Sequence, residues 1–441
     1  MSNNNKSHSL RFSVMDSLFL REGRNYEDVG GLPVASQKLP SLRTLYGAVR
    51  ARLWELLPAH ERKNIIGDSS DDAPQLRMSA LRLSLNDKVY VPCPRDIALL
   101  EIAKESASPD GTSHEEIRYF EPGEPVLCDV GNTETAQTKD VSGNRPHYFR
   151  MPELAGSDEK TRDTSLSFVS TTVLQQWLNH EPVHLDQASP TPDFIELEEI
   201  LLSEVRLGVA LEGRQVKEGQ LYQTEHLRFS HQYFGDLQFE VDIYGLSEPL
   251  LKQLSSDYVA YPLQRLGADG RSVAAQLRSS NPCISSFVHM QPDAEWVVVT
   301  LLSPAIASST YGCGYLPVSD IESRFEHGAN ESAFVGDLDI FDAANIGSAM
   351  NVKVEQVSAI VDRPQFDSGW DMAGRKPRES RQVIPAGSCF YLRATDDLLN
   401  SLTSIQSWQA PAIGKLTHMG FGAIAIKTVT RKSKETNNDV R

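Results

Sequence analysis

With 441 residues, 40% hydrophobic and 23% charged, the chain is long enough for two domains and has the balance of a globular protein, not a disordered or fibrous one. A formal charge of −16 argues against indiscriminate nucleic-acid binding, because the far field repels phosphate, but it leaves room for a local basic groove. Five scattered cysteines (Cys93, Cys128, Cys283, Cys313, Cys389), none in a C-x-x-C pair, give no zinc ribbon or disulfide framework and suit a reducing compartment.

In chain order, the polar start MSNNNKSHS lacks the apolar core of a signal peptide. No apolar run nears the ~20 residues of a membrane span, so a soluble, cytoplasmic chain with no membrane partner is expected. RFSVMDSLFLR reads as a strand. After the loop GGLPVASQKLP, the spacing of Leu42, Leu45, Tyr46, Val49, Leu53 and Leu56 predicts a helix, with Ser41 placed to cap it. Leu81 to Val91 reads as strand. From about 101 to 192 the chain turns acidic and rich in Ser, Gly, Pro and Thr, with one helix, TTVLQQWLNH; this reads as an insertion on a compact domain.

The second half is strand-heavy. IELEEILLSEVRLGVAL, GQLYQTEHLRFS and LQFEVDIYG alternate, and the last two read as a hairpin around FGD. EWVVVTLLS, CFYLR and FGAIAIKTV are strands, with a short helix in DDLLNSLTS. Strands with a few helices and no regular βαβ repetition predict an α+β fold, which two split-βαβ (ferredoxin-like) units would fit.

No nucleotide-binding, zinc-protease or serine-hydrolase motif is present. Basic clusters are more informative. Arg43, Gly47 and Arg50 fall on one side of the first helix, opposite its apolar stripe, and its capped first turn suits a phosphate. A solvated arginine face would use the same residues. GRKPRESR (374–381) carries Arg375, Lys376 and Arg378, and KTVTRKSK lies near the end of the chain as a tail of the kind that solubilises. Before the last strand, KLTHMGFGAIAI sets His418, Gly420, Phe421 and Gly422 in a loop that is either a tight turn or a close approach to phosphate.

These segments together resemble a known family. MDSLFLREGRNY, LPSLRTLYGAVRARL, VYVPCPRDIALL, EVRLGVALEGRQVKEGQLYQTEHLRF, TLLSPA and SGWDMAGRKPRESRQVIPAGSCFYL are similar, in order, to the third Cmr subunit of type III-B CRISPR effector complexes. P-R-D, E-x-R-x-G, S-G-W-D and P-A-G-S carry the likeness. RLGADGRSV (265–273) departs from the family's glycine-rich G-G-E-x-R run, and the C-terminal glycine loop is shorter than in many relatives.

The resemblance implies two tandem RRM-like domains of the RAMP superfamily. They are expected at 1–195, with the acidic insertion, and at 196–441, with the glycine loop near 414–422. It implies a non-catalytic subunit, with no cofactor or metal, that holds the guide crRNA by its 5′ tag. It also implies docking of the large polymerase-like subunit beside the backbone RAMP subunit. RNA contacts are expected at Ser41, Arg43, Gly47, Arg50, Arg206, Arg214, Tyr222, Trp370, Arg375, Lys376, Arg378, His418, Gly420, Phe421 and Gly422. A second reading is a RAMP endoribonuclease that processes precursor crRNA, with His418 as general base and Lys415 on the scissile phosphate. A third is a protein–protein adaptor whose arginines meet acidic partners.

Overall fold

The strand Ser7–Val14 puts Leu10, Phe12 and Val14 into a hydrophobic core and turns Ser9, Arg11 and Ser13 to the opposite face, the two-residue period of a strand. It pairs antiparallel with Leu237–Tyr244 on one side and Ser272–Ser280 on the other. Beyond Leu237–Tyr244 the sheet continues through Arg82–Leu85, Lys88–Pro92, Ser167–Ser170 and Phe194–Glu196. Helices Leu42–Leu56 and Glu248–Ala260 bury Leu45, Tyr46, Val49, Leu53 and Leu250, Leu254, Tyr258 in that core. The computed structural model describes residues 7–21, 35–68, 74–100, 116–128, 147–154, 161–183, 185–187, 189–212, 215–233, 236–280, 286–291, 293–307, 314–322, 333–371 and 376–430.

A second sheet is centred on Trp296–Leu301, buried along its whole length between Cys389–Arg393 and Ile424–Val429, both antiparallel to it. Ala349–Ile360 and then Phe334–Asp342 follow beyond Cys389–Arg393. Helix Asp396–Ser404, expected in DDLLNSLTS, is capped by Thr395 and packs Leu398 and Leu402 with Val297, Val299 and Ile426. A further core joins the halves, with Val91, Leu174 and Trp177 from one and Trp296, Val298 and Tyr391 from the other. The fold is strand-rich α+β. Among the described residues, no helix is long and apolar enough to cross a membrane.

Three expectations change. Leu81 to Val91 is two strands, broken at Asn86 and Asp87, whose φ of 49° and 66° form a two-residue hairpin turn. Gln215–Phe229 pairs with Leu201–Glu212, not with Leu237–Tyr244. The latter is buried at nearly every position, so it needs partners on both edges and takes the centre of the first sheet. Residue 195, the expected domain limit, lies in a strand of that first sheet, which extends to Ser280.

Candidate nucleic-acid interface

Ser41 caps the first helix as its sequence requires, its Oγ accepting the Thr44 N–H at 3.2 Å. Arg43, expected to contact RNA phosphate, is instead largely covered by the other half of the chain. Its Nε donates to Asp367 Oδ2 at 2.5 Å, and both side chains are nearly hidden. Asp367 ends the strand Gln365–Asp367, whose register sets it opposite Arg381. Burial pushes the Asp367 carboxyl up from its ordinary range, against the pull of Arg43, Arg381 and Arg378. The helix arginine and the basic loop, more than 300 residues apart, therefore meet at one carboxylate.

The rest of the helix face is mixed. Arg50 Nη2 donates to the Gly67 carbonyl at 3.1 Å, tying down the end of helix Ala59–Ile66. Gly47 is exposed, with open space where a side chain would project. In the basic loop Lys376 is exposed, and Arg378 is half-buried with its backbone N–H on the Gly369 carbonyl at 2.8 Å. Trp370 pairs through its backbone with Pro377; its side chain, and all of Arg375, lie outside the described residues.

Arg206 lies on the long ribbon of Leu201–Glu212 and Gln215–Phe229, 2.7 Å from Glu204 and 3.5 Å from Asp16. Tyr222 pairs with Gly208 through its backbone; its side chain and Arg214 lie outside the description. Val205, Leu207 and Val209 stand exposed along one face of this ribbon.

The glycine loop differs most from expectation. Met419 and Phe421 are buried in the core of the first sheet, so Phe421 offers no platform to a base. His418 is 5% exposed, its ring edge-on to Tyr46 at 5.6 Å, a position without the access a general base needs. Gly420 has φ 90°, and a Cβ there would lie 2.2 Å from the Ser79 carbonyl oxygen; at Gly422, φ 67°, it would lie 1.9 Å from that of Ile413. The loop joins the two halves and requires glycine for lack of room. Lys415 is exposed.

Two arrangements escaped the sequence reading. On the outer face of the first sheet a ladder of charge runs from Arg278 to Asp87 (3.2 Å), on to Arg11, to Glu240 (2.6 Å), to Arg82 (3.0 Å) and to Asp242 (2.6 Å). Alternation of charge in LRFSV and LQFEVDIY was its signal. Second, Lys427, expected in a solubilising tail, is 1% exposed and 2.9 Å from Asp96 Oδ2, with the rings of Trp177 and Tyr119 4.1 and 4.2 Å away. Trp177 Nε1 donates to Asp96 Oδ1 at 2.7 Å. Arg95 of the same P-R-D run donates its backbone N–H to Gly387 of P-A-G-S at 2.9 Å. Both motifs are thus joints between the halves. A cavity of about 50 Å³ between Ser79, Arg82, Tyr244, Gln409 and Gly420 has room for a few waters, not a base.

A subunit in the structure of a type III-B Cmr-beta complex bound to cognate target RNA and AMPPnP is similar over 95% of this chain and 99% of its own, at 12% identity and a TM-score of 0.40. A chain of the Csm3–Csm4 subcomplex of the type III-A interference complex matches over 93% and 99%, at 10% identity and a TM-score of 0.35. No curated protein matches the chain. The family model described as CRISPR-associated protein (Cas_Cmr3) matches residues 10–429. The chain therefore belongs to the Cas_Cmr3 family of CRISPR-associated proteins.

Proposed function

We propose that this chain is a component of a type III-B Cmr complex, a non-catalytic subunit that holds the 5′ tag of the guide crRNA. On the same reading it docks the large polymerase-like subunit beside the backbone RAMP subunit. The observation that carries it is the Arg43–Asp367 pair, with Arg381 opposite Asp367 across the ribbon and Lys376 exposed in the same basic loop, a local basic site on an acidic chain.

Two ferredoxin-like units underlie the proposal. Strand Ser7–Val14, helix Leu42–Leu56, strands Arg82–Leu85 and Leu237–Tyr244, helix Glu248–Ala260 and strand Ser272–Ser280 run β-α-β-β-α-β. Their order in the sheet, last-first-third-second, is that of a split βαβ. Trp296–Leu301, Ala349–Ile360, Cys389–Arg393, helix Asp396–Ser404 and Ile424–Val429 repeat the order, with no helix among the described residues between the first two. On this division the units part after Ser280, and the segment from Lys88 to Asp236 is inserted in the first.

Incubating the purified chain with labelled single-stranded RNA that carries the repeat-derived tag, with and without divalent metal, tests the reading. Intact, bound RNA is expected. Cleavage that disappears in His418→Ala would establish the endoribonuclease instead, and neither binding nor cleavage would leave the adaptor.

A further inference from the structure

We propose that Asp367 is a positioning residue for RNA phosphate: its carboxylate fixes Arg43 and holds Arg378 and Arg381 about the start of the first helix. This deepens the RNA-binding reading and rests on it.

A carboxylate is an odd companion for a phosphate, and the sequence would exclude it from any list of RNA contacts. Its place in the fold argues otherwise. Asp367 is 5% and Arg43 10% exposed at the side chain, so their 2.5 Å contact is largely shielded from water. Arg381 is the direct cross-strand partner of Asp367, which sets the two side chains on one face of the ribbon. Arg378 is tied by its backbone to Gly369, two residues beyond Asp367. Among the described side chains, Glu379 lies 3.7 Å from Arg381 and is 79% exposed, so water screens it.

Cations outnumber anions here. Guanidinium groups gathered without a counter-ion repel one another, and their flexible stems spread them apart. One buried carboxylate offsets that repulsion and gives each arginine a reference point. The ordering cost is then met on folding, before RNA arrives. Arg43 is the arginine held most firmly. Arg378 and Arg381, nearer the surface, are the ones a phosphate meets, beside the Ser41-capped first turn.

Simple charge counting predicts the opposite of positioning. Removing a negative charge beside a phosphate should tighten binding, whereas removing a positioning group should weaken it. The test is a salt titration of the full-length chain with labelled single-stranded RNA carrying the 5′ tag. Asp367→Asn should bind about tenfold more weakly at fixed salt, with a salt slope shallower by about one. Because Asp367→Asn strands Arg43 in a buried site, the double variant Arg43→Met, Asp367→Leu serves as the folded control. It should melt close to wild type yet bind weakly. Tighter binding by Asp367→Asn with an equal or steeper slope, or wild-type binding by the double variant, overturns the positioning role. Absent binding by the wild-type chain overturns the RNA-binding reading beneath it.

Discussion

Arg43, in the first turn of the first helix, and Asp367, 324 residues later, form a 2.5 Å ion pair that ties the two halves together at the start of that helix. Breaking such a pair from one side leaves a buried charge without its counter-ion, which costs about 3 to 5 kcal/mol. Arg43→Ala should therefore lower the unfolding free energy by about that amount in a urea titration. The Arg43→Met, Asp367→Leu pair should recover most of it. A loss under about 1 kcal/mol would mean that the pair is solvated.

Two glycines of the candidate interface should respond to alanine with opposite signs. Gly47 sits mid-helix, exposed and with free space, so Gly47→Ala should stabilise by about 0.5 to 1 kcal/mol. Gly420 combines φ 90° with a Cβ position 2.2 Å from the Ser79 carbonyl oxygen. Gly420→Ala should destabilise by about 3 kcal/mol, and Gly420→Asp should not accumulate as folded protein. Thermal melts of the two alanine variants decide this, and a Gly420→Ala that melts like wild type would contradict the joint assigned to this loop.

That pair of glycines marks where the sequence was readable. The first helix was legible because its stripe and its cap are local: Leu42, Leu45, Tyr46, Val49 and Leu53 are the residues it buries. The same holds for Ser41 and for the helix at Asp396–Ser404. Gly420 looked like an RNA turn because its constraint, the Ser79 carbonyl, lies more than 300 residues away. Arg43 looked free to meet an RNA phosphate for the same reason. The mispaired hairpin had a different cause: Gln215–Phe229 and Leu237–Tyr244 are adjacent and both alternate, and pairing depends on which one is buried on both faces.

The root of the long ribbon should be sensitive to mild acid. His226 is buried, stacked on Phe19 at 5.1 Å and 3.4 Å from Ser17 Oγ. Burial pushes its imidazole below the ordinary value, and Arg271 and Arg206 push the same way. The unfolded root thus takes up a proton first as pH falls. Its stabilising contribution is whole above about pH 6.5 and is lost progressively below. The protection factors of the Leu18 and Leu227 amides, which bond each other's carbonyls at 2.8 Å, should fall below that pH once the intrinsic slowing of exchange in acid is divided out. The same fall in His226→Phe would assign the effect elsewhere.

At the other joint, Trp177 gives Asp96 a hydrogen bond inside a buried site. Trp177→Phe keeps an aromatic ring beside Lys427 but removes that donor from a buried carboxylate. A loss of about 2 kcal/mol in chemical denaturation is expected. A neutral substitution would show that Lys427 alone satisfies Asp96.

On the proposed function, an acidic chain binds RNA through one local basic site. Its most direct test is a salt titration of wild type and of the triple variant Lys376→Ala, Arg378→Ala, Arg381→Ala with tagged single-stranded RNA. These side chains lie at the surface end of the cluster, and the variant leaves the Arg43–Asp367 pair in place. With about 0.7 of a counterion released per phosphate contact on a single strand, the log–log slope should become shallower by about two. Affinity should fall alike for all RNA sequences. An unchanged slope and affinity in the triple variant would place the RNA elsewhere on the molecule and contradict the account.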